Sequence, residues 1–364
     1  MRLYNVVIME GDGVGPEIIR EGRKVILSAL DGMAIKVQFV EVEVGCDHYR
    51  RTGIDLAHHD MKVIREADAI YFGSIGLPDV KIPYEQISLG ILRRGLDLYA
   101  NIRPVKLLEG VESPLRGHKK TIIDYVIFRE NTEGLYTFGK GGFIIGDEAA
   151  VNPLIISRKG TKRIVEAAFD MASRRNGSPA DGIKRVTCVD KANVAEAYAF
   201  FRKIFYEVAE KYPNIEAEHI LMDAMTVHML QRPEHFDVIV AENMFGDILS
   251  DLGSGTVGGL GLAASMEVGD RYGLFQPIHG SATDIAGKNV VNPIATILSG
   301  AMMFEWLGRK NNDHKTLEIG IEIERAIINV LAAGQIKTPD LGGKNSTKEM
   351  GDAIAQEIMK KKKK

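Results

Sequence analysis

Hydrophobic residues change their spacing within the first thirty positions, which predicts a strand followed by a helix. Residues 4–9 form a short apolar run that is typical of a buried strand. After the segment GDGVGPE at 11–17, apolar residues recur at helical spacing, at Ile18, Ile19, Val25, Ile26 and Leu30. These patterns predict a strand over 4–9, a turn, and a helix over 17–30.

The alternation of strand and helix continues as far as residue 243. Further apolar runs predict strands over 37–44, 68–76, 125–131, 185–193 and 236–243. Helical spacing predicts helices over 60–66, 160–174 and 195–211. Strands that alternate with helices favour an α/β fold with parallel pairing. Residues 136–156 break this alternation because they are glycine-rich and then strand-like, which predicts a protruding hairpin or arm that packs on a second subunit.

Length and composition narrow the class of protein. The 364 residues are enough for two domains, and 45% hydrophobic and 26% charged residues are ordinary for a soluble globular protein. A net charge of -3 gives no indication of a nucleic-acid or membrane-surface partner. Cys46 and Cys188 are too few for a disulfide framework or a zinc site. A cytoplasmic location is expected, because the chain shows neither a signal-peptide pattern nor an apolar run of membrane-spanning length.

The segment GDGVGPE lies between a predicted strand and a predicted helix, which is the context of a dinucleotide-binding fingerprint. Gly11 and Gly13 fit that fingerprint, but Pro16 stands where Gly or Ala is required and suits the first turn of a helix instead. The other interpretation is a tight turn that needs glycine dihedrals. The segment also lacks the lysine of a phosphate-binding loop, which disfavours phosphoryl transfer.

Two acidic residues in NMFGDILSDL, Asp247 and Asp251, are four positions apart and share one helix face among apolar neighbours. They could be solvated helix acids, or Asp247 could be a cap near the helix start, where the dipole favours an anion. They could also bind a divalent metal, because carboxylates without nearby Cys or His suit Mg²⁺ or Mn²⁺. The pattern alone leaves these alternatives open. If the segment is partly buried, the two carboxylates need a positive partner in order to stay ionised.

Basic residues near predicted strand ends are candidates for substrate binding. Arg93 lies on a predicted helix, Arg103 follows in LDLYANIRP, and Arg129 follows the strand YVIF. A planar guanidinium binds a carboxylate at two points, so several such arginines imply a substrate with more than one carboxylate, whereas surface charge is the usual role of a single arginine.

Lys191, after the strand RVTCV, is either a candidate base or an ordinary loop lysine. In PIHGSATDIAG, the carboxylate of Asp284 could accept both hydroxyls of a ribose.

Seven segments together resemble, in order, the motifs of the β-decarboxylating dehydrogenases, the family of 3-isopropylmalate, isocitrate, homoisocitrate and tartrate/D-malate dehydrogenases. They are GDGVGPE, LDLYANIRP, RENTEGLY, VDKAN, DAM, NMFGDILSDL and HGSATDIAGKNVVNP, and the resemblance covers residues 6–308. It implies a two-domain α/β fold with a shared mixed sheet. Residues 1–98 plus 258–364 would form a large cofactor-binding domain, and residues 99–257 a small dimerisation and substrate/metal domain with a protruding dimer arm at about 137–157.

The resemblance also implies roles for single residues. Tyr136 and Lys191 match the catalytic pair, and Arg93, Arg103 and Arg129 match the arginines that hold the malate carboxylates. The metal ligands, for Mg²⁺ or Mn²⁺, would be Asp247, Asp251 and the partner subunit's Asp223, which implies a homodimer with shared active sites, or a larger assembly of such dimers. The residues that match the cofactor loop are His279, Gly280, Ser281, Ala282, Asp284, Ile285 and Asn292. Asp284 implies NAD⁺, because a 2′-phosphate would meet a like charge.

The resemblance is closest to the 3-isopropylmalate and tartrate/D-malate branches. Leu89 matches one of two leucines of 3-isopropylmalate enzymes, and the partner's Val194 would add an apolar wall, whereas Ser88 in SLGILRR resembles the tartrate/D-malate form. Gly90 stands where homoisocitrate enzymes have an arginine, and the serine and asparagine that isocitrate enzymes use in this helix are also missing. Both differences disfavour a tricarboxylate substrate. The implied function is NAD-dependent oxidative decarboxylation of a (2R)-malate-type acid, with 3-isopropylmalate the first choice and D-malate or tartrate next. Gln276 stands where Glu is usual.

A non-catalytic subunit that kept the fold is the other interpretation of this resemblance. It is disfavoured because members that lose activity lose catalytic residues, and the candidate catalytic and metal-binding residues are all present in this chain.

Overall fold

The computed structural model of the chain describes residues 2–115, 122–137 and 141–362. Its strands are β1 (Arg2–Gly11), β2 (Ile35–Glu41), β3 (Ala69–Ser74), β4 (Ala100–Lys106), β5 (Asp124–Glu130), β6 (Phe143–Ile145), β7 (Ala149–Val151), β8 (Arg185–Asp190), β9 (Glu216–Leu221), β10 (Val238–Ala241), β11 (Ala264–Val268) and β12 (Gly273–Pro277). Its α-helices are α1 (Gly15–Leu30), α2 (Cys46–Thr52), α3 (Asp60–Glu66), α4 (Ser88–Gly95), α5 (Arg158–Arg174), α6 (Glu196–Ala209), α7 (Met222–Gln231), α8 (Asn243–Thr256), α9 (Ile294–Lys310), α10 (His314–Ala333) and α11 (Thr347–Lys362).

Ten strands form one sheet in the order β2-β1-β3-β12-β11-β4-β5-β10-β8-β9. Both outer parts of this sheet are parallel, but β12 with β11, β11 with β4, and β4 with β5 pair antiparallel. The α/β fold and the mixed sheet implied by the resemblance are therefore confirmed, whereas uniformly parallel pairing is wrong at the centre. The reason is local, since β11 and β12 follow each other directly as a hairpin, a connection that only antiparallel strands allow.

The predicted helices lie where the hydrophobic pattern placed them, with small differences at their ends. The helix predicted over 60–66 is α3, and the one predicted over 160–174 is α5, which begins two residues earlier. Its start is fixed by the Ser157 hydroxyl, which accepts a hydrogen bond from the Gly160 amide at 3.0 Å. None of the helices in these described ranges is long and apolar enough to cross a membrane.

The apolar interior consists of several clusters rather than one. The largest packs α1, α9, α10 and α11 against β1 and therefore joins the two ends of the chain. Two others lie on either face of β5, β8 and β10, one of them under α5 and α6 and the other under α7 and α8. The domain boundaries after residues 98 and 257 stay a prediction.

The segment that broke the alternation contains a hairpin, β6 paired antiparallel with β7. The side chains of Phe143, Ile144 and Ile145 are 59%, 77% and 55% exposed, which is unusual for three consecutive apolar residues. Residues 138–140 of the predicted arm lie outside the described residues. The packing of this hairpin on a second subunit stays a prediction.

Candidate active site

The central antiparallel strands carry a polar face and an apolar face, because successive side chains point to opposite sides of a sheet. The register places Glu267 of β11 opposite Asn101 of β4, and Asn101 opposite Arg129 of β5, so these three side chains form a row. Arg103 lies on the same face, in the middle of β4 rather than at a strand end as the sequence suggested. The other face of these strands lines a cavity of about 680 Å³, with walls that include Ile102 and Met266.

Helix α8 packs close to the polar face because a glycine allows it. A Cβ atom on Gly246 would lie 2.7 Å from Arg129 Cβ and 2.9 Å from Arg129 Cα, which is closer than carbon atoms pack. This close approach brings Asp247 and Asp251 of α8 to the arginines. The geometry shows why glycine precedes the first aspartate.

The positive partners of the two aspartates are the strand arginines. Arg129 Nη1 contacts Asp247 Oδ1, and Arg103 Nη1 donates to the same oxygen at 3.1 Å. Arg103 Nη1 also lies 3.8 Å from Asp251 Oδ1. Asp247 does not cap its helix, because the cap is the Glu242 carboxylate, which accepts from the Phe245 amide at 2.9 Å.

Burial and mutual repulsion shape the charges in this cluster. Burial lowers the pKa of Arg129, and the like charges of Arg103 and Arg93 lower it further. Burial raises the pKa of Asp251, and the neighbouring Asp247 adds to that increase while Arg103 opposes it. Both effects indicate a site that can accept a further cation near the carboxylates and an anion near the guanidinium groups.

Tyr136 lies beside this cluster, in the short 3₁₀ turn Leu135–Thr137. The Arg129 guanidinium lies over its ring, 5.8 Å from the centroid. Burial raises the pKa of the Tyr136 hydroxyl, and the negative charge of Asp247 raises it further. The phenol is therefore held in its protonated form, as a proton donor must be.

Arg93 of α4 reaches the same polar face but has its own carboxylate partner. Its Nε donates to Glu267 Oε2 at 2.8 Å, and its Nη2 donates to Glu267 Oε1. Sequence reasoning missed Glu267. The available signal was a single acid in the otherwise uncharged strand ASMEV, but its partners depend on a strand register that the sequence does not show.

Ser88 and Leu89, which resemble the tartrate/D-malate and 3-isopropylmalate branches, lie at the start of α4. Ser88 is fully buried, and its hydroxyl has no hydrogen-bond partner among the described residues, while its amide donates to Asp55 Oδ2 at 2.6 Å. Leu89 packs partly buried against the cluster of β1, β3 and α4. A buried hydroxyl without a partner is costly unless a ligand or water satisfies it, so Ser88 is compatible with a binding role.

Lys191, Val194 and Asp223 form a second group. Lys191 Nζ contacts Asp223 Oδ1, and the side chains of Asp223 and Val194 are largely exposed. In the described part of the single chain, no group of three or more His, Cys, Asp or Glu side chains is arranged to hold a metal. Asp247 and Asp251 could provide two oxygen ligands to Mg²⁺ or Mn²⁺, which takes several such ligands.

The segment GDGVGPE is a tight turn that packs against the predicted cofactor loop, in agreement with its poor fit to a dinucleotide fingerprint. Gly11 and Gly13 have φ angles of 72° and 61°, and a Cβ on Gly13 would overlap the Ser281 carbonyl. The Asp12 carboxylate is buried and accepts from the amides of Cys46 at 2.8 Å and Gly76 at 2.8 Å. A buried carboxylate at this turn leaves no place for a phosphate.

The predicted cofactor loop is anchored at several points. The Ser281 carbonyl accepts from the Val14 amide at 2.9 Å, and Ile285 and Ala282 pack on the cluster that contains Val14. Asn292 is buried and donates to Asp340 Oδ2 at 3.0 Å. Gly280 and Asp284 are exposed, so a ligand can reach both of them.

His279 gives this loop a feature that points to a ligand. Its Nδ1 lies 2.9 Å from the Gly280 carbonyl, whereas its Nε2 is shielded from solvent and has no hydrogen-bond partner within the described ranges. Burial lowers the pKa of His279, so the imidazole is neutral near pH 7. An unpartnered nitrogen in a loop that also carries the exposed Asp284 carboxylate fits a nucleoside that carries hydroxyl and amino groups.

Comparisons with known proteins give the family of the chain. A family model described as isocitrate/isopropylmalate dehydrogenase matches residues 5–354. The 3-isopropylmalate/3-methylmalate dehydrogenase of Methanocaldococcus jannaschii is 41% identical over 358 residues, 98% of this chain and 99% of that protein. The D-malate dehydrogenase (decarboxylating) of Escherichia coli is 36% identical over 369 residues, 99% of this chain and 100% of that protein. The crystal structure of isocitrate dehydrogenase from Methylococcus capsulatus matches with a TM-score of 0.86 at 34% identity, over 98% of this chain and 99% of that one.

Proposed function

This chain belongs to the isocitrate/isopropylmalate dehydrogenase family, and we propose that it catalyses the NAD⁺-dependent, divalent-metal-dependent oxidative decarboxylation of a (2R)-malate-type acid. Membership itself makes the chain a decarboxylating dehydrogenase whose relatives act on small carboxylic acids. The observation that carries the finer proposal is the cluster in which Arg103 and Arg129 meet Asp247 and Asp251, with Tyr136 beside them.

Each residue of the cluster has one task in this proposal. Arg103 and Arg129 bind the substrate carboxylates through paired hydrogen bonds, and Arg93 completes the set. Asp247, Asp251 and the partner subunit's Asp223 would hold Mg²⁺ or Mn²⁺, which would supply Lewis-acid polarisation of the C2 oxygen. The amine of the partner's Lys191 would accept the C2 hydroxyl proton on Nζ.

The remaining steps move a hydride, carbon dioxide and a proton. NAD⁺ held by the predicted cofactor loop would supply the hydride acceptor for C2 of the substrate, and the oxidised substrate is a β-keto acid. The C–C bond to the neighbouring carboxylate then breaks, and its electrons form an enolate as CO₂ leaves. The Tyr136 hydroxyl protonates the enolate carbon, a role that suits a phenol whose pKa is raised.

The cofactor is proposed as NAD⁺. His279, Gly280, Ser281, Ala282, Ile285 and Asn292 would line the nucleoside site, supported by the unpartnered His279 Nε2. The exposed Asp284 carboxylate would accept hydrogen bonds from the ribose hydroxyls and would repel a 2′-phosphate.

A homodimer is proposed as the working unit. Lys191, Val194 and Asp223 are exposed or partly exposed on one chain, and the apolar hairpin of β6 and β7 offers a contact surface. A second chain would bring the partner's Lys191 and the partner's Asp223 to the cluster of arginines and aspartates. The two cysteines of the chain are free, buried thiols, which is compatible with the cytoplasmic location we propose.

3-Isopropylmalate is proposed as the preferred substrate, with Leu89 and the partner's Val194 as the apolar pocket. D-Malate or tartrate is the second candidate, because the buried Ser88 hydroxyl has no protein partner in the described ranges and could bind a substrate hydroxyl. The deciding experiment is NADH formation with Mn²⁺ or Mg²⁺, compared as kcat/KM for 3-isopropylmalate, D-malate, tartrate, isocitrate and homoisocitrate. Failure to reduce NAD⁺ with any of the five would refute the proposed activity.

The metal assignment has its own test. Asp251→Asn should weaken Mn²⁺ binding at least about tenfold and lower turnover, because a neutral amide replaces an anionic ligand. Asp352→Asn is the matched control. It removes an acid of α11 that pairs with Lys24 of α1, and it should leave Mn²⁺ binding unchanged. Equal Mn²⁺ affinity in both variants and the wild type would rule out Asp251 as a ligand.

A further inference from the structure

Glu267 is the most heavily hydrogen-bonded carboxylate of the polar face. Its Oε1 accepts from Asn101 Nδ2 at 3.1 Å, from Gln276 Nε2 at 2.8 Å and from Arg93 Nη2. Its Oε2 accepts from Arg93 Nε at 2.8 Å and from Asn131 Nδ2 at 3.1 Å. The side chain has no solvent exposure, so these five hydrogen bonds replace water completely.

The carboxylate stays ionised in this setting. Burial alone would raise the pKa of Glu267, but Arg93, with Arg129 and Arg103 behind it, holds that pKa below its ordinary value. The negative charge is therefore a fixed part of the site. It is also connected to the substrate arginines, because Asn101 bonds Glu267 through Nδ2 and accepts from Arg103 Nε at 3.1 Å through Oδ1.

The formal charges of the cluster balance in the chain itself. Arg93, Arg103 and Arg129 are positive, whereas Asp247, Asp251 and Glu267 are negative. A bound divalent cation adds two positive charges, and a dicarboxylate substrate brings two negative charges. Together with the partner's Asp223, these charges leave no positive charge for a third substrate carboxylate, because Glu267 has neutralised one of the three arginines.

We propose that Glu267 determines specificity in this enzyme by neutralising and orienting Arg93, so that the site prefers dicarboxylate over tricarboxylate substrates. The inference deepens the proposed function and rests on it, since it takes the arginine cluster as the substrate site. Glu267 acts through Arg93 and Asn101 and is therefore a positioning residue. Without its charge, Arg93 would be free to pair with an additional carboxylate of the ligand.

The first test measures binding without turnover. Titration calorimetry with Mn²⁺ and without NAD⁺ gives the Kd of D-malate, a dicarboxylate, and of isocitrate, a tricarboxylate. In Glu267→Gln, the ratio of isocitrate to D-malate affinity should rise about tenfold or more over the wild type, as expected when one charge of the site is removed at this range. An unchanged ratio in a folded Glu267→Gln protein would overturn the inference.

Two further variants separate charge from position. The double variant E267Q/Q276E moves the carboxylate to the neighbouring strand within the same hydrogen-bonded cluster, and the affinity ratio should return toward the wild-type value. Glu305→Gln is the matched control, because it removes an acid that lies at the cavity on the other face of the central strands and should leave the ratio unchanged. A change of the same size in Glu305→Gln would attribute the effect to the net charge of the protein instead.

Wild-type enzyme provides a test that does not depend on the folding of any variant. It should bind and turn over dicarboxylates with at least about tenfold advantage over isocitrate and homoisocitrate. Equal kcat/KM and equal Kd for both classes would refute the role of Glu267 while leaving the dehydrogenase activity intact. Absence of turnover with every substrate would instead refute the proposed function, and the binding ratios would still decide the role of Glu267.

Discussion

Gly246→Ala is the substitution that tests the geometry of the site most directly. The added Cβ would lie 2.7 Å from Arg129 Cβ and 2.9 Å from Arg129 Cα. Carbon atoms pack at about 3.5–4.0 Å, so α8 and β5 have to separate by roughly 1 Å. Because Arg129 is held between two strands of the sheet, we expect the helix to move and to carry Asp247 with it.

The expected effect on activity is larger than the effect on stability. Overpacking of this kind costs about 1–3 kcal/mol, and part of this is offset because Ala favours a helix over Gly by about 1 kcal/mol. A displacement of about 1 Å between catalytic groups can lower kcat/KM on the order of a hundredfold. Gly246→Ala should therefore remain folded and lose most of its activity and Mn²⁺ affinity.

Helix α8 offers its own control for this experiment. A Cβ on Gly255 would meet no atom within 4 Å, so Gly255→Ala introduces the same methyl group into the same helix without a clash. Urea unfolding, Mn²⁺ titration and kcat/KM should be measured for both variants. Wild-type Mn²⁺ affinity and kcat/KM in Gly246→Ala would show that the close approach of α8 to Arg129 is not needed for the site.

Three further predictions address the cofactor, pH and assembly. Asp284→Lys should raise the KM for NAD⁺ and lower it for NADP⁺, and an unchanged ratio of the two would remove the reason for naming NAD⁺. Burial raises the pKa of Glu130 to about 7, so its ionisation costs stability as the pH rises from its unfolded pKa of about 4.5 through 7. Glu130→Gln should abolish a loss on the order of 3 kcal/mol between pH 5 and pH 8 in urea unfolding, and parallel curves for variant and wild type would contradict this. Ile144→Asp on the exposed hairpin should shift sedimentation toward the monomer and lower activity in proportion, whereas an unchanged sedimentation coefficient would exclude the hairpin from the interface.

Local patterns predicted the elements whose signals are strong. The spacing of apolar residues is enough to predict the helices over 60–66 and 160–174, because each packs apolar side chains of one face against the protein interior. The shared face of Asp247 and Asp251 followed from their spacing, and their need for a positive partner followed from partial burial. That partner, the pair Arg103 and Arg129, is what the structure supplies.

Features that depend on long-range register could not be predicted in the same way. Glu267 on β11 and its hydrogen-bond partner Asn101 on β4 are 166 residues apart in the chain. Strand β9 escaped prediction because it lies at the sheet edge, where charged residues such as Glu216 and Glu218 are usual and hide the apolar alternation. Of the alternatives that the pattern left open for Asp247, the helix cap is wrong, because Glu242, directly after β10, caps this helix.

The sheet order also bears on how the protein is made on the ribosome. Strand β12 lies beside β3, and α11 packs on α1, so the core around β1 closes only when residues near 358 have emerged. At about 5–20 residues per second, residues 1–98 wait roughly 15–50 s for the segments that cover them. The middle of the chain, by contrast, holds all the strands of its own cluster within about 140 consecutive residues. During synthesis the apolar N-terminal segment is therefore the part that most needs a chaperone, and substitutions in α11 should reduce the yield of soluble protein more than their effect on the finished fold would suggest.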